Sequence, residues 1–313
     1  MQDWPILKNF WERHCDPAYH SDPRTNYSWR RMVQALYACH IPHPIALKFV
    51  LEERPSLEEF RTWLVRSNSE YVILDQTDDA IQNESDYQLS AEQIAFWEEN
   101  AYLVLPQVID AQACAESRQA ILDFLQADLN DPSTWYRSQS QRQGLMLPLY
   151  NHPRLNTNRT STRIRAAYEQ LYGSKAIYKT IDHVSFNPPE TTHYSFRGNG
   201  LHWDVSLAQP IPNRFQGLLY LSDCNENDGA FHCVPGFHQQ IPSWLNGLGP
   251  DENPRRIAEQ TLISKPITGK AGDFIIWHQA LPHCATPNHG RTPRMVQYLS
   301  YIPNDDEEHP IWI

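Results

Sequence analysis

A mainly β fold with flanking helices is what this sequence predicts, on three observations. Beyond Lys175, short apolar runs alternate with Gly, Pro and Asn: Ala176 to Phe186, Gly217 to Ser222, Phe231 to Val234, Ile263 to Ile267, Phe274 to Trp277 and Arg294 to Ile302. That is the rhythm of a β barrel or sandwich. Residues 1 to about 67 instead repeat their apolar side chains at helical spacing. Between the two, Ser67 to Gln88 is polar and acidic (Glu70, Asp75, Asp78, Asp79, Glu84, Asp86) around one apolar patch, Tyr71 to Leu74. Such a composition marks a connecting segment and divides the chain into residues 1–88 and 89–313.

Within the first part, Ser56 and Glu59 form a capping box ahead of Leu57, Phe60, Trp63 and Leu64. A second box, Ser90 with Gln93, opens a short helix whose Ile94 and Trp97 share a face. An extended Tyr102 to Leu105 and a helix from about Asp110 to Leu125 follow.

Composition excludes several roles. With 313 residues and 41% apolar content the chain buries a substantial core. Its 26 Lys and Arg against 37 Asp and Glu give a formal charge of -11, so counterion release draws it to neither nucleic acid nor anionic lipid. The six cysteines are scattered without Cys-x-x-Cys spacing, which fits a reducing cytosol rather than a disulfide-stapled domain. No signal-peptide pattern opens the chain and no apolar run is long enough to span a bilayer, so the expectation is a soluble cytoplasmic protein. Oligomeric state is not legible.

One constellation carries chemistry. On a strand, residues i and i+2 point the same way, so His202-Trp203-Asp204 aims an imidazole and a carboxylate at one point while Trp203 faces away. A 2-His-1-carboxylate triad leaves open positions on a non-haem metal and needs one more histidine. His283 and His278 both follow the apolar run Phe274 to Trp277; Arg294 lies eleven residues beyond His283, room for both to reach one barrel mouth. A buried guanidinium there offers a fork for a carboxylate, while Arg291 sits nearer the turn. The pattern has a decoy: His20-Ser21-Asp22 also reads His-x-Asp, in a helical context without strands.

In order along the chain stand Leu89 to Leu105 (LSAEQIAFWEENAYLVL), Asn187-Pro188-Pro189, His202-Trp203-Asp204, Gly229 to His238 (GAFHCVPGFH), His283 and Arg294. This ordered combination resembles the phytanoyl-CoA dioxygenase family over roughly residues 89 to 303. The resemblance implies a double-stranded β-helix (jelly-roll, cupin-like) with Fe(II) on His202, Asp204 and His283. It also implies 2-oxoglutarate as cosubstrate with its far carboxylate on Arg294, O2 as oxidant, and succinate and CO2 as products. Asn187 is a candidate helper in cofactor binding. Because Asp204 is present, hydroxylation or a related C–H oxidation is favoured over halogenation, for which relatives lack this carboxylate. One departure stands out: where family members carry a small hydroxyl residue two places after the distal histidine, this chain has Ala285, then Thr286.

For substrate, the expectation is a small or medium organic molecule. Between Pro132 and Thr180 lie eight basic residues (Arg137, Arg142, Arg154, Arg159, Arg163, Arg165, Lys175, Lys179) and one acid, Glu169. That segment is either a solvated helix face or a lure for a carboxylate- or phosphate-bearing substrate. Two other classes remain: a cupin-like metal protein of different reaction type, and a silent binding protein on the same barrel.

Overall fold

A computed structural model describes residues 3–20, 27–75, 87–137, 144–305 and 311–313. Four helices open it: α1 (Trp4–Cys15), α2 (Trp29–Ala38), α3 (His43–Glu52) and α4 (Leu57–Asp75). The Ser56–Glu59 box forms as read, with the Glu59 carboxylate accepting from the Ser56 N–H at 2.7 Å. Helix α4 runs on to Asp75, however, taking in the Tyr71 to Leu74 patch assigned to the connector. Its apolar spacing was interrupted there by polar residues, but nothing in them breaks a helix. Residues 76–86 of the connector, Ser21 and Asp22 of the decoy, and Arg142 lie outside the described residues.

The chain continues through α5 (Ala91–Asn100), β1 (Tyr102–Leu105), α6 (Ala111–Leu125), β2 (Met146–Leu147), α7 (Pro153–Asn158) and α8 (Thr162–Tyr172). Then come β3 (Ile177–Lys179), β4 (Val184–Asn187), β5 (Phe215–Tyr220), β6 (Phe231–Cys233), α9 (Ile241–Asn246) and α10 (Pro254–Thr261). The last strands are β7 (Lys265–Ile267), β8 (Phe274–His278), β9 (His283–Ala285), β10 (Arg294–Tyr298) and β11 (Tyr301–Pro303). The second capping box is complete at α5, and Asp110 caps α6.

Strands assemble into an antiparallel six-stranded sheet, β1-β8-β5-β10-β4-β2, and a smaller one, β7-β6-β9, with β11-β3 alongside. Period-2 alternation gives the large sheet two faces. Phe215, Leu219, Phe274, Ile276 and Met295 join a core built with α6 and α8. Leu218, Tyr220, Ile275, Trp277 and Val296 turn inward to a second core shared with the small sheet. The sheets face each other as the jelly-roll, double-stranded β-helix predicted from the family resemblance. Short strands spaced by Gly and Pro form this because each buries one face only against a second layer.

The N-terminal helices bury their own core, including Leu7, Phe10, Leu36, Val50, Phe60 and Leu64. They meet the barrel through a small cluster, Tyr37, Tyr150 and Ile181, flanked by Val33 and Tyr178. Among the described residues, no helix is long and apolar enough to cross a membrane.

Candidate active site

His202 lies in no regular strand; the expected strand over His202 to Asp204 is a single β-bridge to His283. His202 N–H donates to the His283 carbonyl at 3.0 Å and His283 N–H to that of His202 at 2.9 Å. That reciprocal pair sets the two imidazoles side by side, ring centroids 4.8 Å apart, though 81 positions separate them in sequence. Trp203 does face away: it is buried in the inner core, its indole N–H donating to the Ala280 carbonyl at 2.8 Å. Arg255 on α10 fixes the segment by donating to the Trp203 and Val205 carbonyls, on either side of Asp204.

The tautomers follow from the backbone. His202 Nδ1 lies 2.7 Å from the Gly200 carbonyl and His283 Nδ1 3.0 Å from that of Leu281. A carbonyl only accepts, so each Nδ1 carries the proton and each Nε2 presents a lone pair. Both Nε2 atoms face Asp204, at 3.6 Å and 3.4 Å from its oxygens. Ligand atoms of His202, Asp204 and His283 all fall within 4.8 Å of one another. Burial works against the Asp204 anion, but the adjacent His283 imidazole and the Gln216 amide donor outweigh it and hold the carboxyl well below the usual range. Burial and the neighbouring His283 push the His202 imidazole down, keeping it neutral as a ligand must be.

His278, the competing histidine, sits at the end of β8 with Nδ1 accepting from the Ala280 N–H; burial, reinforced by His238, pushes it down to about 4. It does not line the central cavity. His283 does, held beside Phe231 and Trp277 with centroids at 5.8 and 5.3 Å.

That cavity, about 580 Å³, opens between the two sheets. The inward face of the large sheet contributes Gln216, Trp277, Arg294 and Tyr298; the small sheet contributes Phe231 and His283. Arg294 and His283 therefore meet across the barrel from different sheets, rather than by adjacent pairing of a strand and its return strand. Arg294 is 1% exposed, and none of its three guanidinium nitrogens finds a hydrogen-bond acceptor among the described residues. An arginine stays charged in any protein environment, so an unanswered guanidinium costs several kcal/mol unless an anion meets it. Arg291 is exposed, as read.

Asn187 opposes Arg294 in the β4–β10 register, but it is fully buried and has no face on the cavity. Its amide donates to the Thr286 carbonyl at 3.0 Å, tying the large sheet to the segment after β9. Gly229, at φ +76°, makes room for that amide, since a Cβ there would lie 2.3 Å from Asn187 Nδ2. Ala285 lines the cavity, whereas the Thr286 hydroxyl turns away to the Ala230 carbonyl and does not replace the missing hydroxyl.

The basic segment reaches the cavity only through Gly144, Leu145 and Met146; none of its described basic residues lines it. Arg154 pairs with Glu116, Arg165 with Glu169, and Arg159 is buried on Asn156 and the Asp182 carbonyl. Sequence reading missed Gln216, whose amide donates to Asp204 Oδ2 at 2.8 Å, and the Arg255 clamp. The His183 imidazole also lines the cavity, with Nε2 on the Tyr150 hydroxyl at 2.8 Å. Neither Gln216 nor Arg255 carries a local motif.

A jelly-roll holding two neutral imidazoles and a carboxylate at one end of its cavity, and a buried cation at the other, belongs to the class of barrels that bind a metal together with an anionic ligand. Comparison with known proteins narrows that class. The family profile for Phytanoyl-CoA dioxygenase (PhyH) matches residues 97–296. A putative phytanoyl-CoA dioxygenase of Dictyostelium discoideum is 25% identical over 259 residues, 66% of this chain and 74% of that protein. The ectoine dioxygenase of Bordetella bronchiseptica is 22% identical over 278 residues, covering 78% and 86%. Among solved structures, HygX from Streptomyces hygroscopicus with nickel and 2-oxoglutarate bound superposes with a TM-score of 0.51 at 16% identity, over 70% of this chain and 89% of that one. The chain belongs to the phytanoyl-CoA dioxygenase family and is an iron- and 2-oxoglutarate-dependent dioxygenase.

Proposed function

We propose that His202, Asp204 and His283 hold Fe(II), that Arg294 takes the far carboxylate of 2-oxoglutarate, and that the enzyme hydroxylates a C–H bond of a small organic molecule. One observation carries this reading: three potential ligand atoms within 4.8 Å of one another share a cavity with a fully buried guanidinium that no acceptor among the described residues meets. The residues fit the group, because the Nε2 lone pairs and carboxylate converge while the backbone carbonyls hold the outer nitrogens. When bound, iron with 2-oxoglutarate and O2 supplies oxidation of an unactivated C–H bond, releasing succinate and CO2. The chain's own residues orient and enclose. Gln216 and Arg255 fix Asp204 from its carboxylate and from the backbone on both sides. Phe231 and Trp277 keep water from the His283 ring. Asn187 supports the cosubstrate end by holding the Thr286 carbonyl rather than by touching the cosubstrate.

Residues 89–313 form the oxygenase unit in this proposal and the N-terminal helices an accessory to it. HygX binding nickel and 2-oxoglutarate supports the metal and cosubstrate assignments by analogy of fold. Calorimetric titration with Mn(II) tests the triad. Wild-type protein should bind one ion and then 2-oxoglutarate; His283→Ala should lose at least about 100-fold in metal affinity, more than loss of a mere outer partner costs. Equal Mn(II) affinity in the two proteins would sink the assignment. Succinate formation stimulated by Fe(II) and ascorbate separates the enzyme from a silent barrel.

A further inference from the structure

A second cavity of about 300 Å³ runs along the seam between the N-terminal helices and the barrel. Helix α2 contributes Trp29, Arg30, Val33 and Tyr37, and His43 opens α3; the facing wall includes Tyr178, Phe215 and Ile302. It shares four lining residues with the central cavity, Asp182, Asp204, Gln216 and Ser300, so the two spaces meet beside the metal-ligand carboxylate. The family profile starts at residue 97, so nothing in the family match accounts for the helical wall.

That wall is held in place. Tyr37 Oη and His43 Nδ1 share a hydrogen bond of 2.7 Å, and the Trp29 ring packs edge-on to His43 at 5.9 Å. Burial, the larger effect, pushes the His43 imidazole down and keeps it neutral. Aromatic rings thus line one side. At the junction the half-buried Asp182 accepts a hydrogen bond from its neighbour Thr180, with Arg30 and Arg214 elsewhere on the lining. A partly buried carboxylate with remaining acceptor capacity answers a hydroxyl or an ammonium and rejects an anion.

We infer that α2 and α3 wall a substrate subsite in this seam, which takes an apolar or ring-bearing skeleton and presents Asp182 to a hydroxyl or ammonium donor on it. The inference rests on the metal reading above, because it places the reacting end of the substrate beside Asp204. It gives the helices a role in specificity: the barrel supplies the oxidation and the helices select what reaches it.

A matched series tests it: phenethylamine, 2-phenylethanol and 3-phenylpropanoate, titrated into enzyme loaded with Mn(II) and 2-oxoglutarate. The amine, the alcohol or both should bind at least about tenfold tighter than the carboxylate, as one charge-assisted hydrogen bond predicts. Asp182→Ala should abolish that preference. Asp182→Asn should keep the alcohol and lose the amine, which tells the two donors apart. Val33→Phe, which fills the seam without removing a polar group, should weaken all three ligands. Mn(II) and 2-oxoglutarate affinities should stay unchanged in these variants. The subsite is overturned if the carboxylate binds as tightly as the others, if Asp182→Ala leaves the ranking intact, or if Val33→Phe changes nothing. Absence of saturable binding up to about 10 mM overturns it too, since a real subsite for such fragments supplies millimolar affinity. Failure to bind Mn(II) with intact probe binding would instead sink the metal reading alone.

Discussion

The two ends of the central cavity solve opposite electrostatic problems. At the end that holds His202, Asp204 and His283, the protein itself orients the side chains: carbonyls hold the histidine Nδ1 protons, and Gln216 donates to Asp204. At the other end Arg294 is as deeply buried as any core residue, and none of the described residues answers its guanidinium. The metal end is preorganised before anything binds, whereas the arginine end is poised at a cost that only an anion removes. A fold tolerates such a cost where binding a cosubstrate repays it.

The strongest way to break this contrast is Arg294→Met. It should raise the Kd for 2-oxoglutarate by about 100-fold or more, the loss of a two-pronged charge-assisted contact. The same change should stabilise the ligand-free protein, raising Tm by about 2 °C or more, because an unanswered buried charge disappears. A fall in the ligand-free Tm would show that Arg294 has protein partners and that the contrast is false. Gln216→Leu probes the other end and should weaken Mn(II) binding by about tenfold, the usual effect of removing a group that orients a ligand. Unchanged affinity would mean that Asp204 is aimed by its backbone clamp alone.

A smaller effect sharpens the comparison from outside the site. His278 is also a buried base, but unlike arginine it sheds its proton, and burial together with His238 takes its pKa down to about 4 from an ordinary 6.5. Between those two values the unfolded chain binds more protons than the folded one, so stability must fall as the pH drops through this window. His278→Gln should reduce the loss of stability between pH 7 and pH 5 by about 2 kcal/mol, measured by denaturant unfolding at each pH. An identical pH dependence in both proteins would place the acid sensitivity elsewhere, for example on His152 or His232, which burial also depresses.

Much of this was legible in the residues. Periodicity separated the helices from the strands, and both capping boxes formed where Ser, Glu and Gln announced them. Helix α7 and strand β9 had no such clarity, because they are short and their burial is decided by what packs on them. That His202, Asp204, His283 and Arg294 would gather at one cavity was legible because chemistry restricts which residue types serve. Asn187 entered the sequence reading only as a candidate helper; that it opposes Arg294 in register and turns its amide to a carbonyl 99 positions away is a tertiary feature no local pattern carries.

The sequence by itself determined the layered architecture and the identity of the ligand types, since both follow from local periodicity and from which side chains own lone pairs or fixed charge. Only the tertiary structure decided the rest. A two-bond bridge between His202 and His283 sets the spacing of the two imidazoles, the seam against α2 brings Asp182 to the cavity, and opposed sheets leave Arg294 without an acceptor among the described residues. Each of these joins residues far apart in the chain, and the free energy that brings them together belongs to the packed whole rather than to any segment.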